Sequence, residues 1–73
     1  MPHIEISMFS GRTEEQKKAA AEAVIKAMME TLGCERSHLS VAIHDYDKSE
    51  WNEKLRPTVD ESAIIAGELF EVK

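Results

Sequence analysis

The sequence holds a single cysteine, Cys34, so no disulfide can form within the chain. No cysteine–histidine grouping has the spacing of a structural zinc site, and no metal is expected. No apolar run comes near the ~20 residues that a membrane span requires. The start, Met-Pro-His-Ile-Glu, carries neither the basic stretch nor the long apolar stretch of a secretory leader. Positive charge is in the minority, with nine Lys and Arg against 14 Asp and Glu and a formal net charge of −5. Nucleic acid wants a basic face, so it is not an expected partner. A small anion is still open to one well-placed arginine. A reducing, cytoplasmic setting away from membranes is expected.

Glycine and proline are scarce too, at three and two residues, and no repeats, linkers or low-complexity stretches occur. The 73 residues make one domain, residues 1–73. A chain this short buries too small a fraction of its surface to be comfortable alone. Disulfides and metals are the usual remedies, and with both set aside self-association remains.

What is present is strongly patterned. Ile4, Ile6 and Met8 alternate with His3, Glu5, Ser7 and Phe9, which is the period of a strand. After Ser10-Gly11, Thr13 and Gln16 have capping-box spacing, and Glu14 and Glu15 suit the positive end of a helix. Ala21, Val24, Ile25, Met28 and Leu32 form an apolar stripe, while Lys18, Glu22, Lys26 and Glu30 alternate in charge on the wet side. A helix is predicted from Glu14 to Leu32, stopped by Gly33. Leu39, Val41 and Ile43 then mark a second strand. A helix of this length between two strands is a crossover, so the strands should be parallel. The fold class expected is α+β, a β-α-β subunit. Two strands and one helix do not close a sheet, which again predicts a dimer or larger.

Beyond the second strand the reading weakens. Ser49 is expected to cap a short helical turn that Arg56-Pro57 ends. In the tail, Asp60 is a candidate cap for a turn over residues 60–66, and residues 68–72 are a candidate edge strand.

Three blocks point further: Pro2-His3-Ile4-Glu5-Ile6, Gly11-Arg12-Thr13-Glu14-Glu15-Gln16-Lys17, and Leu32-Gly33-Cys34 at the helix end. In order and spacing they resemble the 4-oxalocrotonate tautomerase family, over residues 2 to about 45 without a gap. Ser49-Glu50-Trp51 with Arg56-Pro57 resembles the longer-chain branch carrying tryptophan in its pocket. The resemblance implies removal of Met1 and a free secondary amine on Pro2 acting as catalytic acid/base. The activity implied is cofactor-independent keto–enol tautomerisation of a small 2-oxo or enol carboxylic acid. An α-amino group titrates near ~8, and an apolar pocket lowers that value toward neutrality. Arg12 matches the arginine that binds a substrate carboxylate, bidentate and planar. Trp51 matches the apolar wall.

Ser40 is a departure, standing where familiar members have a second arginine that polarises the keto group. A serine hydroxyl donates one hydrogen bond but brings no charge, which favours a monoacid or arylpyruvate-like enol over a dicarboxylate. The alternatives are a dehalogenase, hydratase or decarboxylase on the same scaffold, with Glu5 or Asp45 activating water, and a non-catalytic ligand-binding homologue. Assembly as a homodimer or a hexamer is expected. His3 and His44 lie toward opposite ends of their strands and are not expected to share a metal site within one subunit. His38 and Cys34 read as a solvated loop residue and a packed residue.

Overall fold

The alternation in the first strand decides which side the helix covers. In the computed structural model, which describes all of residues 1–73, β1 (His3–Phe9) and β2 (Ser40–Tyr46) form a parallel pair. The register runs from His3 opposite Ser40 to Phe9 opposite Tyr46. Ile4, Ile6 and Met8 therefore share one face with Val41, Ile43 and Asp45. The crossover helix α1 (Glu14–Leu32) lies against that face, and Lys17 Nζ pins it by reaching Asp45 at 2.9 Å.

Local chemistry fixes both ends of α1. Thr13 Oγ1 accepts from the Gln16 amide at 3.1 Å, and Gln16 Oε1 accepts from the Thr13 amide at 2.9 Å. Gly33 closes the helix at φ 70°, a left-handed conformation that a side chain would strain. Past it, Arg36 grips Glu22 through two bonds of 2.7 Å and holds the connection to β2 against the helix. The stripe residues Ala21, Val24, Ile25 and Met28 are half-buried, whereas Leu32 is 63% exposed.

From residue 47 the chain departs from expectation in detail. Asp47, not Ser49, holds the helical N-terminus: its amide donates to Glu50 Oε1 at 3.1 Å, and its carboxylate accepts from Ser10 Oγ at 2.7 Å. The turn Lys48–Glu50 widens into a π-helical turn at Trp51–Leu55 and tightens again at Arg56–Thr58. Pro57 is thus taken into the last tight turn, where φ suits it and no amide is missed.

The tail forms one tight turn, Glu61–Ala63, with the Asp60 carboxylate accepting from the Ser62 amide at 3.1 Å. It is shorter than the turn over residues 60–66 that was expected. No edge strand forms at residues 68–72, because their partners are side chains rather than a neighbouring strand. Asn52 imitates a peptide group, donating to the Val72 carbonyl at 2.7 Å and accepting from the Val72 amide at 3.1 Å. The Trp51 indole N–H donates to the Phe70 carbonyl at 2.7 Å. Residues 68–73 are thereby strapped back over Trp51.

Only Trp51 and Leu55 are buried, 2 of 73 residues. The sheet has two open edges, and its face away from α1 is covered only at the Phe9–Tyr46 end, by Trp51 and Phe70.

Candidate active site

The face of the sheet opposite the helix is a gradient from polar to aromatic. At its N-terminal end Pro2 is half-buried, and its carbonyl accepts from the Ser40 amide at 3.4 Å. Parallel pairing thus seats Ser40 beside Pro2. His3 Nδ1 lies 2.6 Å from Ser40 Oγ.

The two histidines are linked through one carboxylate. Glu5 stands between them on the same face, with one carboxylate oxygen 2.8 Å from His44 Nε2 and the other 3.3 Å from His3 Nε2. His44 pairs with Ser7 and His3 with Ser40, so a side chain at position 5 spans the gap from the middle. The bond to His44, then the one to His3, holds the Glu5 carboxyl below its ordinary value.

At the far end of the strands the chemistry changes. Phe9 meets Trp51 edge to face with ring centres 4.8 Å apart, and the Phe70 ring closes on Phe9 at 5.9 Å. Tyr46 meets Trp51 at 6.3 Å. Such offset contacts are the favoured arrangement of aromatic quadrupoles. Trp51 is the buried centre of this group, 8% exposed. Arg12 follows the same end of β1, with Nη1 donating to the Phe9 carbonyl at 3.4 Å. Arg36 and Arg56 are both engaged by carboxylates, while Arg12 meets none.

The candidate residues therefore fall into two groups within one chain. Pro2 and Ser40 share one end of the sheet, and Arg12 and Trp51 share the other. Between them run the seven residues of β1, roughly 23 Å at ~3.3 Å per residue. No concavity of the single chain holds any of the four. One of about 430 Å³ lies between the start of α1 and β2, lined by Lys17, Ala21, Val41 and Ile43 among others. Of the remaining three, one lies along residues 52–62, one beside the strap and one between α1 and Arg36.

Comparison with known proteins decides the family. The family model described as tautomerase enzyme matches residues 2–52. The chain belongs to the tautomerase family. It is 45% identical over 51 residues to a 2-hydroxymuconate tautomerase of Comamonas testosteroni, covering 70% of this chain and 81% of that one. A probable tautomerase of Bacillus cereus is 43% identical over 51 residues, covering 70% and 84%. Among solved structures, a 4-oxalocrotonate tautomerase isozyme from Methylibium petroleiphilum superposes with a TM-score of 0.66 at 46% identity, over 68% of this chain and 81% of that one. YwhB, a homologue of 4-oxalocrotonate tautomerase, reaches further, covering 93% of this chain and 92% of its own at 28% identity and a TM-score of 0.62. This tautomerase is thus an isomerase built on the β-α-β fold, with a parallel strand pair and one long helix. The family model ends at residue 52, within the π-helical turn, so residues 53–73 lie outside it.

Proposed function

We propose that this tautomerase interconverts the enol and keto forms of a small 2-oxo monoacid bearing an apolar or aryl group, with Pro2 as acid/base and no cofactor. Arg12 carries the reading: it is the arginine without a carboxylate partner, and it donates to the backbone carbonyl of Phe9, whose ring belongs to the aromatic cluster. A free guanidinium offers a planar, bidentate seat for a carboxylate. The Phe9, Trp51 and Phe70 cluster at the same end of the sheet favours an apolar body over a second charge. With Met1 removed, the secondary amine of Pro2 takes a proton from the carbon next to the carbonyl and returns it to oxygen, or runs the same transfer in reverse. Ser40, at the same end of the sheet, is the hydroxyl nearest to hand for the carbonyl oxygen.

The two groups serve one pocket only if they come from different copies. A neighbour whose first strand runs antiparallel brings its Arg12 and Trp51 to this chain's Pro2 and Ser40. The scarcity of buried residues and the open sheet edges support such assembly, as a dimer or as a ring of three dimers. Water-activating chemistry on the same scaffold is less favoured. Asp45 is occupied by Lys17 on the helix side, and a Glu5 carboxyl held below its ordinary value is a weak base.

The test is kinetic. Protein whose mass confirms Pro2 as the first residue is assayed with an arylenolpyruvate beside Pro2→Ala. A positioned general base contributes about 10²–10⁴-fold, and Pro2→Ala keeps a primary amine, so a loss of at least ~10-fold is expected. Equal rates would remove Pro2 from the reaction.

A further inference from the structure

All four aromatic residues of the chain gather at the Phe9–Tyr46 end of the sheet, but they are not equally free to touch a ligand. Trp51 is 8% exposed, with Phe9 and Tyr46 packed on its ring and its indole N–H tied to the Phe70 carbonyl. Phe9 and Tyr46 are half-buried. Phe70 alone keeps most of its surface, 59% exposed, although its ring centre lies 5.9 Å from that of Phe9.

That exposure is not the looseness of a chain end. Gly67, at φ 77°, supplies a left-handed conformation just ahead of the strap. Three successive residues are then held. The Phe70 carbonyl accepts from Trp51 at 2.7 Å, the Glu71 carboxylate from Arg56 at 3.3 Å, and Val72 is bonded at both its amide and its carbonyl by Asn52. Chain ends usually fray, because ordering them costs conformational entropy that few contacts offset. Here every one of these attachments is polar, and together they fix the backbone of one apolar side chain while leaving its ring largely bare. A ring held in this way loses little further freedom when something packs on it, which is the property of a preorganised contact surface.

We propose that Phe70, rather than Trp51, contacts the apolar group of the substrate, and that the strap thereby sets a preference for an aryl over a short alkyl side chain. This rests on the tautomerase reading of Pro2 and Arg12. Trp51 becomes a positioning residue, holding the strap by its N–H and Phe9 by its ring. Arg12 donates to the Phe9 carbonyl and Phe70 packs on the Phe9 ring, so the carboxylate seat and the aryl contact are both keyed to one residue. An aryl group set against Phe70 extends the edge-to-face series Trp51–Phe9–Phe70 by one ring. A methyl group has neither the area nor the quadrupole to do so. The contact is remote from the reacting carbon, so it is made alike in ground and transition states and shows in KM. Residues 68–73 lie beyond the stretch matched by the family model, so the preference belongs to a segment outside the shared core.

The test compares two acids on protein that begins at Pro2. Proton exchange at the carbon next to the carbonyl is followed in deuterated water, with an arylpyruvate and with the 2-oxo acid carrying methyl in place of the aryl group. Phe70→Ala should lower the aryl-to-methyl ratio of kcat/KM roughly 10-fold, mainly through KM for the aryl acid. Phe70→Tyr, which keeps the ring, should restore the ratio. Asn52→Ala, which keeps Phe70 but frees the strap, should move the ratio in the same direction as Phe70→Ala. The proposal is overturned if Phe70→Ala keeps the wild-type ratio, or if Asn52→Ala keeps it while exchange at the Val72 amide shows the strap open. Equal losses for both acids, with sedimentation showing the oligomer coming apart, would also overturn it, because the ring would then be packing between copies. A fully active Pro2→Ala, or a wild type that exchanges neither acid, would instead overturn the underlying reading, so the two failures are told apart.

Discussion

Asn52 is where the tail can be released with least damage elsewhere. Its amide is the only group that bonds both the N–H and the C=O of Val72, at 3.1 and 2.7 Å. A hydrogen bond of this kind contributes about 0.5–1.5 kcal/mol net, so the pair is worth ~1–3 kcal/mol to strap closure. At tenfold per 1.4 kcal/mol, Asn52→Ala should raise hydrogen exchange at the Val72 amide roughly 10-fold or more. Asn52→Asp is the sharper probe. It keeps an acceptor for the Val72 amide but sets a carboxylate oxygen against the Val72 carbonyl, so the strap should open further. Trp51 is the single tryptophan of the chain, and its indole N–H is bonded to the Phe70 carbonyl. Its emission should therefore shift to the red as water replaces the strap. Exchange at Val72 and Trp51 emission both unchanged in both variants would show that the strap is held by something other than Asn52.

Leu55 is the most buried residue, 4% exposed. Leu55→Ala removes atoms from a small core and should cost about 2–5 kcal/mol, a fall in Tm of at least ~8 °C by calorimetry. The Glu22–Arg36 pair predicts a pH dependence with a definite sign. Arg36 holds the Glu22 carboxyl below its ordinary value of 4.5, so the pair stabilises above that value and its contribution is lost as pH falls through the lowered one. The Tm gap between wild type and Arg36→Ala should be present at neutral pH and close under acid, and a gap independent of pH would refute the pairing.

The first 45 residues were legible because each local signal agreed with the next. Alternation in β1, the Thr13–Gln16 box, the apolar stripe and Gly33 are all short-range patterns, and the crossover then forces parallel strands. Register is a different matter. Nothing in the sequence says that His3 pairs with Ser40 rather than with a neighbour two residues away, so the Ser40–His3–Glu5–His44 line was hidden. The placing of Glu5 midway, two residues from His3 on its own strand, was the clue available. The tail failed for another reason. Asn52, Trp51 and Arg56 hold it through side chains to backbone and carboxylate, and such pairings have no period to read. The cap at Asp47 rather than Ser49 is a near miss of two residues, decided by the Ser10 hydroxyl far away in sequence. Of the site, Pro2, Ser40, Arg12 and Trp51 were named in advance, but not the grouping of Trp51 with Arg12. The distance between Pro2 and Arg12 is a matter of strand geometry, seven residues of β1 at ~3.3 Å each.

That separation is also the most exposed part of the account, since a base at one end of β1 and an anion seat at the other make a pocket only between copies. Pro2→Ala and Arg12→Ala proteins, each impaired alone, should be mixed under conditions in which mass spectrometry confirms subunit exchange, and tautomerase activity then measured. The account predicts recovery, because some interfaces of the mixed oligomer pair an intact Pro2 from one chain with an intact Arg12 from another. No recovery despite confirmed exchange would contradict it, and would mean that the two residues do not meet in a shared site.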